Sequence, residues 1–207
     1  MPNGTMRVAE IFRSLQGEGR NQGHITTFIR LAGCNLDCRW CDTRYARSGG
    51  EERTRGDVLA EVHALGCPRV CITGGEPLLQ AGELLPLVSA LHHEGYGIEI
   101  ETNGTLDFRP FQPFATICMD VKCPSSGERS DLSLLAHLNG EDSVKFVVGS
   151  VEDCEYARRI IEEHPLRGEI LFSPVFGTDC RAIADYLLAH DLPARFQLQL
   201  HRILGVR

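Results

Sequence analysis

Short runs of β-branched and aromatic residues alternate with longer segments of helical spacing along most of this chain. We predict β-strands over the short runs, which are 24–31, 69–73, 97–102, 116–122, 143–148, 169–173 and 195–200. Between them, Leu, Ile and Val recur every three or four residues, which predicts helices over 57–65, 82–94, 132–138, 151–163 and 179–190. Repeated β-α units imply a mainly parallel sheet with right-handed crossover connections.

Chain length limits how far such a sheet can close. A complete eight-fold β/α barrel usually takes about 250 residues, whereas this chain has 207. Hydrophobic residues make up 43% and charged residues 24% of the sequence, as in folded globular domains. We therefore predict an α/β fold with an incomplete, TIM-type barrel, formed by a single domain spanning residues 1–207.

Charge and hydropathy exclude several classes of partner. The 21 Lys and Arg residues against 28 Asp and Glu give a net charge of −7, with no basic block to follow a phosphate backbone. No apolar run reaches the ~18 to 20 residues of a membrane span, and the first residues lack the apolar core of a signal peptide. We expect no nucleic-acid or membrane partner and a cytoplasmic location.

Nine cysteines are many for a reducing compartment, where they indicate metal ligation or catalysis rather than disulfides. Cys34, Cys38 and Cys41 form a C-x3-C-x2-C pattern directly after a predicted strand. Structural zinc usually takes four ligands in two pairs, so a partial zinc site is the weaker interpretation. A four-iron cluster held by three cysteines would leave one iron open to a small chelating molecule.

The remaining cysteines are expected to pack mainly in the core. Cys71 and Cys118 fall in predicted strands, and Cys154 and Cys180 fall in predicted helices. Cys67 makes a second C-x3-C pair with Cys71, without a third partner. Cys123 follows a strand and is interpreted either as a neighbour of the site or as a near-surface thiol.

Small and polar clusters follow four predicted strands, namely GCNLDC, TGGEP, ETNGT and DVKCPSS. The carboxyl ends of parallel strands meet at one edge of a sheet, where ligands bind in such folds. The sequence therefore predicts one composite site. Simpler interpretations also exist for single motifs: TGGEP as a strand-to-helix turn, and Asp120 with Lys122 as an ion pair at the rim.

The cysteine spacing, with Trp40 before the last cysteine, resembles the signature of the radical S-adenosylmethionine superfamily. The resemblance implies a 4Fe-4S cluster on Cys34, Cys38 and Cys41, whose open iron binds S-adenosylmethionine, and a 5′-deoxyadenosyl radical that abstracts hydrogen from substrate. The radical comes from the cofactor, so no catalytic side chain is implied. The cofactor-binding residues that it implies are Trp40, Cys41, Asp42, Gly74, Gly75, Glu76, Glu101, Asn103, Asp120, Val121, Lys122, Ser173 and Pro174, the last two in a loop that closes over the cofactor.

SLQGEG at 14–19, CDT at 41–43, IETNGT and the closing QLQLH resemble, together with TGGEP, the 7-carboxy-7-deazaguanine synthase family. That resemblance spans nearly the whole chain. It implies a ring contraction of 6-carboxy-5,6,7,8-tetrahydropterin to 7-carboxy-7-deazaguanine with loss of ammonia, in queuosine and 7-deazapurine biosynthesis. It also implies Mg²⁺ as a cofactor beside the cluster and a reusable S-adenosylmethionine.

Further site residues follow from the family resemblance. The implied substrate-binding residues are Leu15, Gln16, Gly17, Glu18, Arg30, Thr73, His201 and Arg207. Arg30 would pair with the substrate carboxylate, and Arg207 is a candidate through its terminal carboxylate, with a frayed tail as the alternative. Thr43 would ligate Mg²⁺ through its hydroxyl oxygen, unless it merely satisfies a turn.

Two other functions remain open at this stage. The DVK triplet also occurs in glycyl-radical-enzyme activases of the same superfamily, and a non-catalytic iron-sulfur electron carrier would need only the cysteine loop. The small-ligand elements at both ends of the chain favour the synthase. We further expect an external one-electron reductant of the flavodoxin or ferredoxin type, and a homodimer that covers exposed sheet edges.

Overall fold

A computed structural model of the chain describes residues 4–207, and its centre is one nine-stranded sheet. The strands are β1 (Thr5–Leu15), β2 (Ile25–Leu31), β3 (Glu51–Thr54), β4 (Arg69–Gly74), β5 (Gly97–Thr102), β6 (Thr116–Lys122), β7 (Ser143–Val148), β8 (Glu169–Pro174) and β9 (Arg195–Phe196). Their order is β3-β1-β2-β4-β5-β6-β7-β8-β9. All neighbours from β2 to β9 are parallel, and β1 is antiparallel to β2 and β3. The sheet does not close, which confirms the incomplete barrel.

Five α-helices accompany the sheet: α1 (Arg55–Leu65), α2 (Ala81–His93), α3 (Val151–Glu163), α4 (Cys180–Ala189) and α5 (Leu200–Leu204). Side-chain caps fix where several of them begin. At α1 the Thr54 hydroxyl accepts from the Asp57 amide while the Asp57 carboxylate accepts from the Thr54 amide, a reciprocal capping box. Short 3-10 turns cover Arg44–Arg47, Pro77–Gln80, Arg109–Phe111, Pro124–Ser126 and Leu132–His137. None of the helices within residues 4–207 has the length and apolarity to cross a bilayer.

The core lies between the central strands and the helices that cover them. Every residue of β7 is buried, and so are most residues of β4, β6 and β8. Strands buried on both faces read as continuous apolar runs, which is why these four could be located in the sequence. Leu84, Leu87 and Leu91 share the inner face of α2 and are fully buried.

Two predicted elements need correction. The segment 132–138 forms a 3-10 turn rather than an α-helix. The last predicted strand, 195–200, pairs only through Arg195 and Phe196, and α5 then begins at Leu200. The next residue, Gln197, donates its main-chain amide to the Phe172 carbonyl at 2.8 Å, while its side-chain amide oxygen accepts from Gly19 N at 2.8 Å and its amide nitrogen donates to Gly19 O at 2.9 Å.

Strands β1 and β3 were not predicted. In β1, charged residues stand between the buried Met6, Val8 and Phe12, and the alternation changes phase at an irregularity between Val8 and Glu10. Such an irregularity breaks a period-two pattern and hides the strand. β3 is the four-residue edge strand EERT, whose side chains are exposed or half-buried, so it has no apolar pattern to detect.

Candidate active site

One cavity of about 470 Å³ lies at the carboxyl ends of the central strands. It collects residues from the cysteine loop, from the ends of β4, β5 and β6, from the β1–β2 turn and from the C-terminal segment. Every site residue predicted from the sequence lines it except Glu76, Val121, Ser173 and Pro174. Segments far apart in sequence are therefore brought together as the composite-site interpretation requires.

The cysteine loop leaves the end of β2 and is held from outside by the turn after β6. The Asp37 amide donates to the Glu128 carboxylate at 2.7 Å, and the Arg39 amide donates to the Ser126 carbonyl at 2.9 Å. These anchors present Cys34, Cys38 and Cys41 to the cavity as free thiols. Burial raises the pKa of the Cys38 thiol, against the opposing effect of the nearby Lys122 cation.

The spacing of the three sulfur atoms suits a cluster better than a single ion. They do not all lie within 4.8 Å of one another. A tetrahedral zinc ion with bonds of ~2.3 Å would draw its sulfur ligands to about 3.8 Å apart. A multi-iron cluster distributes its ligands over different iron atoms, and a set of three thiolates with no fourth protein ligand is the donor set that leaves one iron open. The residues present therefore fit a 4Fe-4S cluster.

The TGGEP turn allows two pieces of backbone to approach very closely. Gly74 has φ 149°, and a Cβ added there would lie 2.2 Å from the Leu31 carbonyl oxygen. At Gly75 an added Cβ would lie 2.1 Å from the Gly33 carbonyl oxygen. Real Cβ atoms do not approach so closely, so only glycine permits this turn beside the cysteine loop.

Glu76 of the same motif lies outside the cavity and ties two strand ends together. Its carboxylate accepts from the Leu78 amide at 3.0 Å, the Thr102 hydroxyl at 2.9 Å and the Asn103 amide at 2.6 Å. The side chain is fully buried, and burial raises the pKa of its carboxyl against the effect of these donors. Glu76 thus fixes Asn103, which does line the cavity, rather than offering its own carboxylate.

A buried row of alternating charges crosses the cavity wall. Lys145 of β7 contacts Glu18 at 3.0 Å and Asp120 at 3.2 Å, and Lys122 contacts Asp120 at 2.8 Å. Burial opposes ionisation of Asp120, but the two lysines outweigh it and lower the pKa of that carboxyl. The Asp120–Lys122 pair expected at the rim is therefore present, within a longer network. Lys122 also lies 5.6 Å from the centre of the Trp40 ring.

The Gln16 side chain of the β1–β2 turn is committed to other protein groups. Its amide nitrogen donates to Glu99 and to Glu101, both at 3.2 Å, and only 2% of the residue is exposed. The Thr73 hydroxyl donates to the other oxygen of Glu101 at 3.1 Å. The SLQGEG turn consequently offers a ligand its main chain and the Glu18 carboxylate rather than the Gln16 amide.

The opposite wall is built around Glu10. The Arg30 guanidinium contacts the Glu10 carboxylate at 3.0 Å, and the Arg207 guanidinium and the Tyr45 hydroxyl donate to the same carboxylate. Arg30 and Arg207 both lie over the Phe12 ring, at 5.7 and 5.0 Å from its centre. The Ser14 hydroxyl donates to the Arg207 main-chain oxygen at 2.6 Å, which draws the chain's last residue over the cavity.

Asp42 links the cysteine loop to α5. The Thr43 hydroxyl donates to Asp42 at 2.7 Å, and His201 lies 3.7 Å from the same carboxylate. Burial opposes ionisation, but the nearby His201 and the hydrogen bond from Thr43 outweigh it, so the pKa of Asp42 lies far below its usual range. The Thr43 oxygen donates its proton to Asp42 and keeps its lone pairs, so it can serve as a hard oxygen ligand for Mg²⁺.

Four expectations change here. Ser173 and Pro174 are the buried last residues of β8, not part of a loop, and the Ser173 hydroxyl donates to Glu18 at 2.9 Å. Val121 is buried within β6. Cys123 is fully buried rather than near the surface. The positions that do line the cavity beyond β8 are Val175 and Phe176, the latter 54% exposed.

Sequence reasoning also missed part of the cavity lining, namely Phe12, Phe28, Leu36, Arg44, Arg47, Lys145, Val147, Val175, Phe176, Gln199 and Arg202. Phe12 and Phe28 stack at 5.0 Å and read as ordinary strand residues. Lys145 did carry a signal, since a lysine within SVKFVV needs a buried anion. Its register partner on β6 is Asp120, and the parallel pairing could have suggested the contact.

Comparison with known proteins gives consistent results. The radical SAM superfamily profile matches residues 28–120. The 7-carboxy-7-deazaguanine synthase of Methanospirillum hungatei is 52% identical over 201 residues, covering 97% of this chain and 86% of the relative. The enzyme of the same name from Chlorobaculum tepidum is 38% identical over 207 residues, covering 96% and 94%.

Solved structures agree with these relatives. QueE from Escherichia coli matches with a TM-score of 0.80 at 28% identity, covering 95% of both chains. Streptococcus suis SuiB matches with a TM-score of 0.60 at 17% identity over 80% of this chain and 46% of that one. The second likeness shows the fold alone.

Proposed function

We infer the chemistry of this cavity from one premise: the chain belongs to the 7-carboxy-7-deazaguanine synthase family of radical S-adenosylmethionine lyases. Its cofactors are accordingly a 4Fe-4S cluster and S-adenosylmethionine. We propose that the substrate is 6-carboxy-5,6,7,8-tetrahydropterin, that the ring contracts with loss of ammonia, and that Mg²⁺ is required. Membership of this family sets aside the activase and electron-carrier alternatives.

A single observation supports the substrate most directly. The cavity of about 470 Å³ places the cysteine loop with the ends of β4–β6 on one side, and the SLQGEG turn with the C-terminal segment on the other. That volume lies within the usual range for small-molecule sites. It accommodates a cofactor beside a small polar substrate.

On the cofactor side, the bound cluster and S-adenosylmethionine would supply a carbon radical that removes a hydrogen atom from substrate. Cys34, Cys38 and Cys41 would hold the cluster. The close turn at Gly74 and Gly75 exposes main-chain groups for the methionine moiety. Trp40 with Asp42 would flank the adenine, and Asn103, Glu101, Asp120 and Lys122 would face the ribose. Val175 and Phe176, following Ser173 and Pro174, would cover the bound cofactor.

On the substrate side, Arg30 provides a planar fork for the pterin carboxylate, which would take over the place that Glu10 holds. The main chain of Leu15 and Gly17 would meet the polar ring edge. Thr73, Glu18, His201 and the terminal carboxylate of Arg207 would complete the pocket. Lys145 neutralises Glu18 and so allows a carboxylate to remain in this buried wall.

We assign Mg²⁺ to the Thr43 hydroxyl oxygen next to Asp42. One protein ligand makes a weak site, so the remaining positions would be filled by water and substrate oxygen atoms. Metal affinity should therefore rise when substrate is present. Thr43→Val, which is nearly isosteric and lacks the oxygen, is expected to raise the Mg²⁺ concentration required for half-maximal turnover.

The test is anaerobic incubation of the reconstituted enzyme with 6-carboxy-5,6,7,8-tetrahydropterin, S-adenosylmethionine, Mg²⁺ and a reductant, with the product identified by mass. We expect 7-carboxy-7-deazaguanine and ammonia in equal amounts. Arg30→Ala should weaken turnover while leaving the optical spectrum of the cluster unchanged. Intact substrate after incubation with a fully loaded cluster would contradict the proposal, and normal turnover by Arg30→Ala would contradict the substrate-binding assignment.

The reaction also needs an electron donor, and we propose a small flavodoxin or ferredoxin. We further propose a homodimer, since β3 and β9 leave the two edges of the sheet unpaired within the described residues. A cytoplasmic location is supported by the nine free thiols, which a reducing compartment maintains. Sedimentation of the holoenzyme at micromolar concentration would test the dimer.

A further inference from the structure

A buried glutamate and a half-buried one lie side by side at the cavity wall, and only the second of them reaches the cavity. Glu101 lines the cavity, whereas Glu99, two residues earlier on β5, is 3% exposed and lies behind it. Oxygen atoms of the two carboxylates and the Cys71 sulfur all lie within 4.8 Å of one another. The proposed function has no role for Glu99.

The Gln16 amide nitrogen lies between the two acids and donates to both, at 3.2 Å each. Asn21 supplies a second donor to Glu99 at 2.8 Å. These donors are neutral, so they cannot balance two negative charges. Lys145 acts on Glu99 as a cation but already contacts Glu18 and Asp120.

Two carboxylates in one dry site cannot both ionise easily, so one retains a proton. Burial, reinforced by the Glu101 carboxylate, raises the pKa of Glu99 from 4.5 to about 7. Because Glu99 is 3% exposed whereas Glu101 lines the cavity, burial acts more strongly on Glu99. The proton therefore belongs to Glu99.

We propose that Glu99 is a positioning residue for the reaction, which in its protonated form lets Gln16 bridge the two acids and so keeps a single negative charge on the Glu99–Glu101 pair. The inference rests on the proposed function. Ionised Glu99 would compete with Glu101 for the Gln16 amide and repel its carboxylate. It would thereby disturb both Glu101 and the SLQGEG turn, which carries the substrate-binding main chain.

The groups facing Glu99 come from every element packed around β5. They are Gln16 and Asn21 from the β1–β2 turn, Cys71 from β4, Cys118 from β6, Lys145 from β7 and Glu101 from β5 itself. Burial raises the pKa values of Cys71 and Cys118 well above 9, so both stay neutral over the working range. Burial opposes the charge of Lys145, but Asp120 and Glu18 outweigh it and raise the pKa of Lys145 well above its usual value.

The experiment measures kcat and KM of the holoenzyme for 6-carboxy-5,6,7,8-tetrahydropterin from pH 6 to 9. It compares the wild type with Glu99→Gln, which reproduces the neutral acid with one acceptor and one donor, and with the exposed Glu155→Gln as control. A group required in its protonated form makes kcat fall by about tenfold per pH unit above its pKa. We expect kcat of the wild type and of Glu155→Gln to fall in this way at high pH, and kcat of Glu99→Gln to stay level.

If Glu99 had a purely structural role, Glu99→Gln would lower kcat by the same factor at every pH, and the fall of kcat at high pH would remain. That result would overturn the proposal. As a second measurement, difference infrared spectroscopy of the cluster-free protein should show a carboxylic-acid carbonyl band that titrates near pH 7 and is missing in Glu99→Gln. If product forms but no such band exists, the Glu99 assignment alone fails. If no product forms at any pH, the proposed function and the positioning role both fail.

Discussion

The protonated Glu99 makes folding stability depend on pH in a direction opposite to that of most glutamates. Its pKa is 4.5 as an ordinary side chain and about 7 in the folded protein. Between these values the folded chain holds a proton that the unfolded chain releases. The free energy of unfolding therefore decreases as pH rises from about 4.5 to about 7 and is constant with respect to this group above that range.

The size of the effect follows from the same pKa values. At about 1.4 kcal/mol for each tenfold change in the acid dissociation constant, the wild type loses about 3 kcal/mol of stability across the window. Glu99→Gln has no proton to release, so this contribution vanishes. Solvent screening does not reduce the figure much, because only 3% of Glu99 is exposed.

Urea unfolding of the cluster-free, reduced protein at pH 5 and pH 8 measures this difference. The decrease between the two pH values should be about 3 kcal/mol larger in the wild type than in Glu99→Gln, with equal denaturant slopes. Other titrating groups are common to both proteins and cancel. The exposed Glu155→Gln should behave as the wild type. Equal decreases in all three proteins would refute a proton on Glu99.

Three further predictions concern the cavity walls. Cys38→Ala should remove the cluster and the activity together. Cys123→Ala, which changes a buried thiol outside the cavity, should still hold close to four irons. Equal iron content in the two variants would contradict the ligand assignment. Gly75→Ala should destabilise the fold by about 3 kcal/mol, because the added Cβ would overlap the Gly33 backbone. Gly82→Ala, in the open first turn of α2, should instead stabilise the fold by about 0.5–1 kcal/mol. Similar melting temperatures for the two variants would refute the crowding at Gly75. Lys145→Met should lower the free energy of unfolding by about 3–5 kcal/mol, because the Glu18 and Asp120 carboxylates lose the cation that they share. A loss below ~1 kcal/mol in denaturant unfolding would contradict this prediction.

The sequence was most informative where one physical requirement dominates a segment. Strands buried on both faces are rich in apolar and β-branched residues, and β5, β6 and β7 lie where such runs predicted them, although Glu99, Asp120 and Lys145 interrupt the runs. The cysteine loop and the glycine turn were also recognisable, because metal ligation and close backbone approach restrict the residue types that can serve.

What could not be predicted depends on partners distant in the chain. Glu76 belongs to a motif that suggested ligand binding, yet its carboxylate accepts hydrogen bonds from Thr102 and Asn103 at the end of β5. The strand expected at 195–200 ends where the Gln197 side chain binds Gly19, a contact across 178 positions. Local propensity contains no information about such pairings. The Glu99–Gln16–Glu101 arrangement likewise emerges only when β5 and the β1–β2 turn are seen together.

The bond between Gln197 and Gly19 also has a consequence for synthesis on the ribosome. The cysteine loop is translated early, but the wall that Gln197 secures is completed about 160 residues after Cys41. Translation adds roughly 5–20 residues per second, so the three thiols are synthesised about 10–30 s before the cavity around them can form. During that interval the cysteine loop lacks the wall that Gln197 secures, so the cavity can close around a cluster only after the C-terminal segment has been translated.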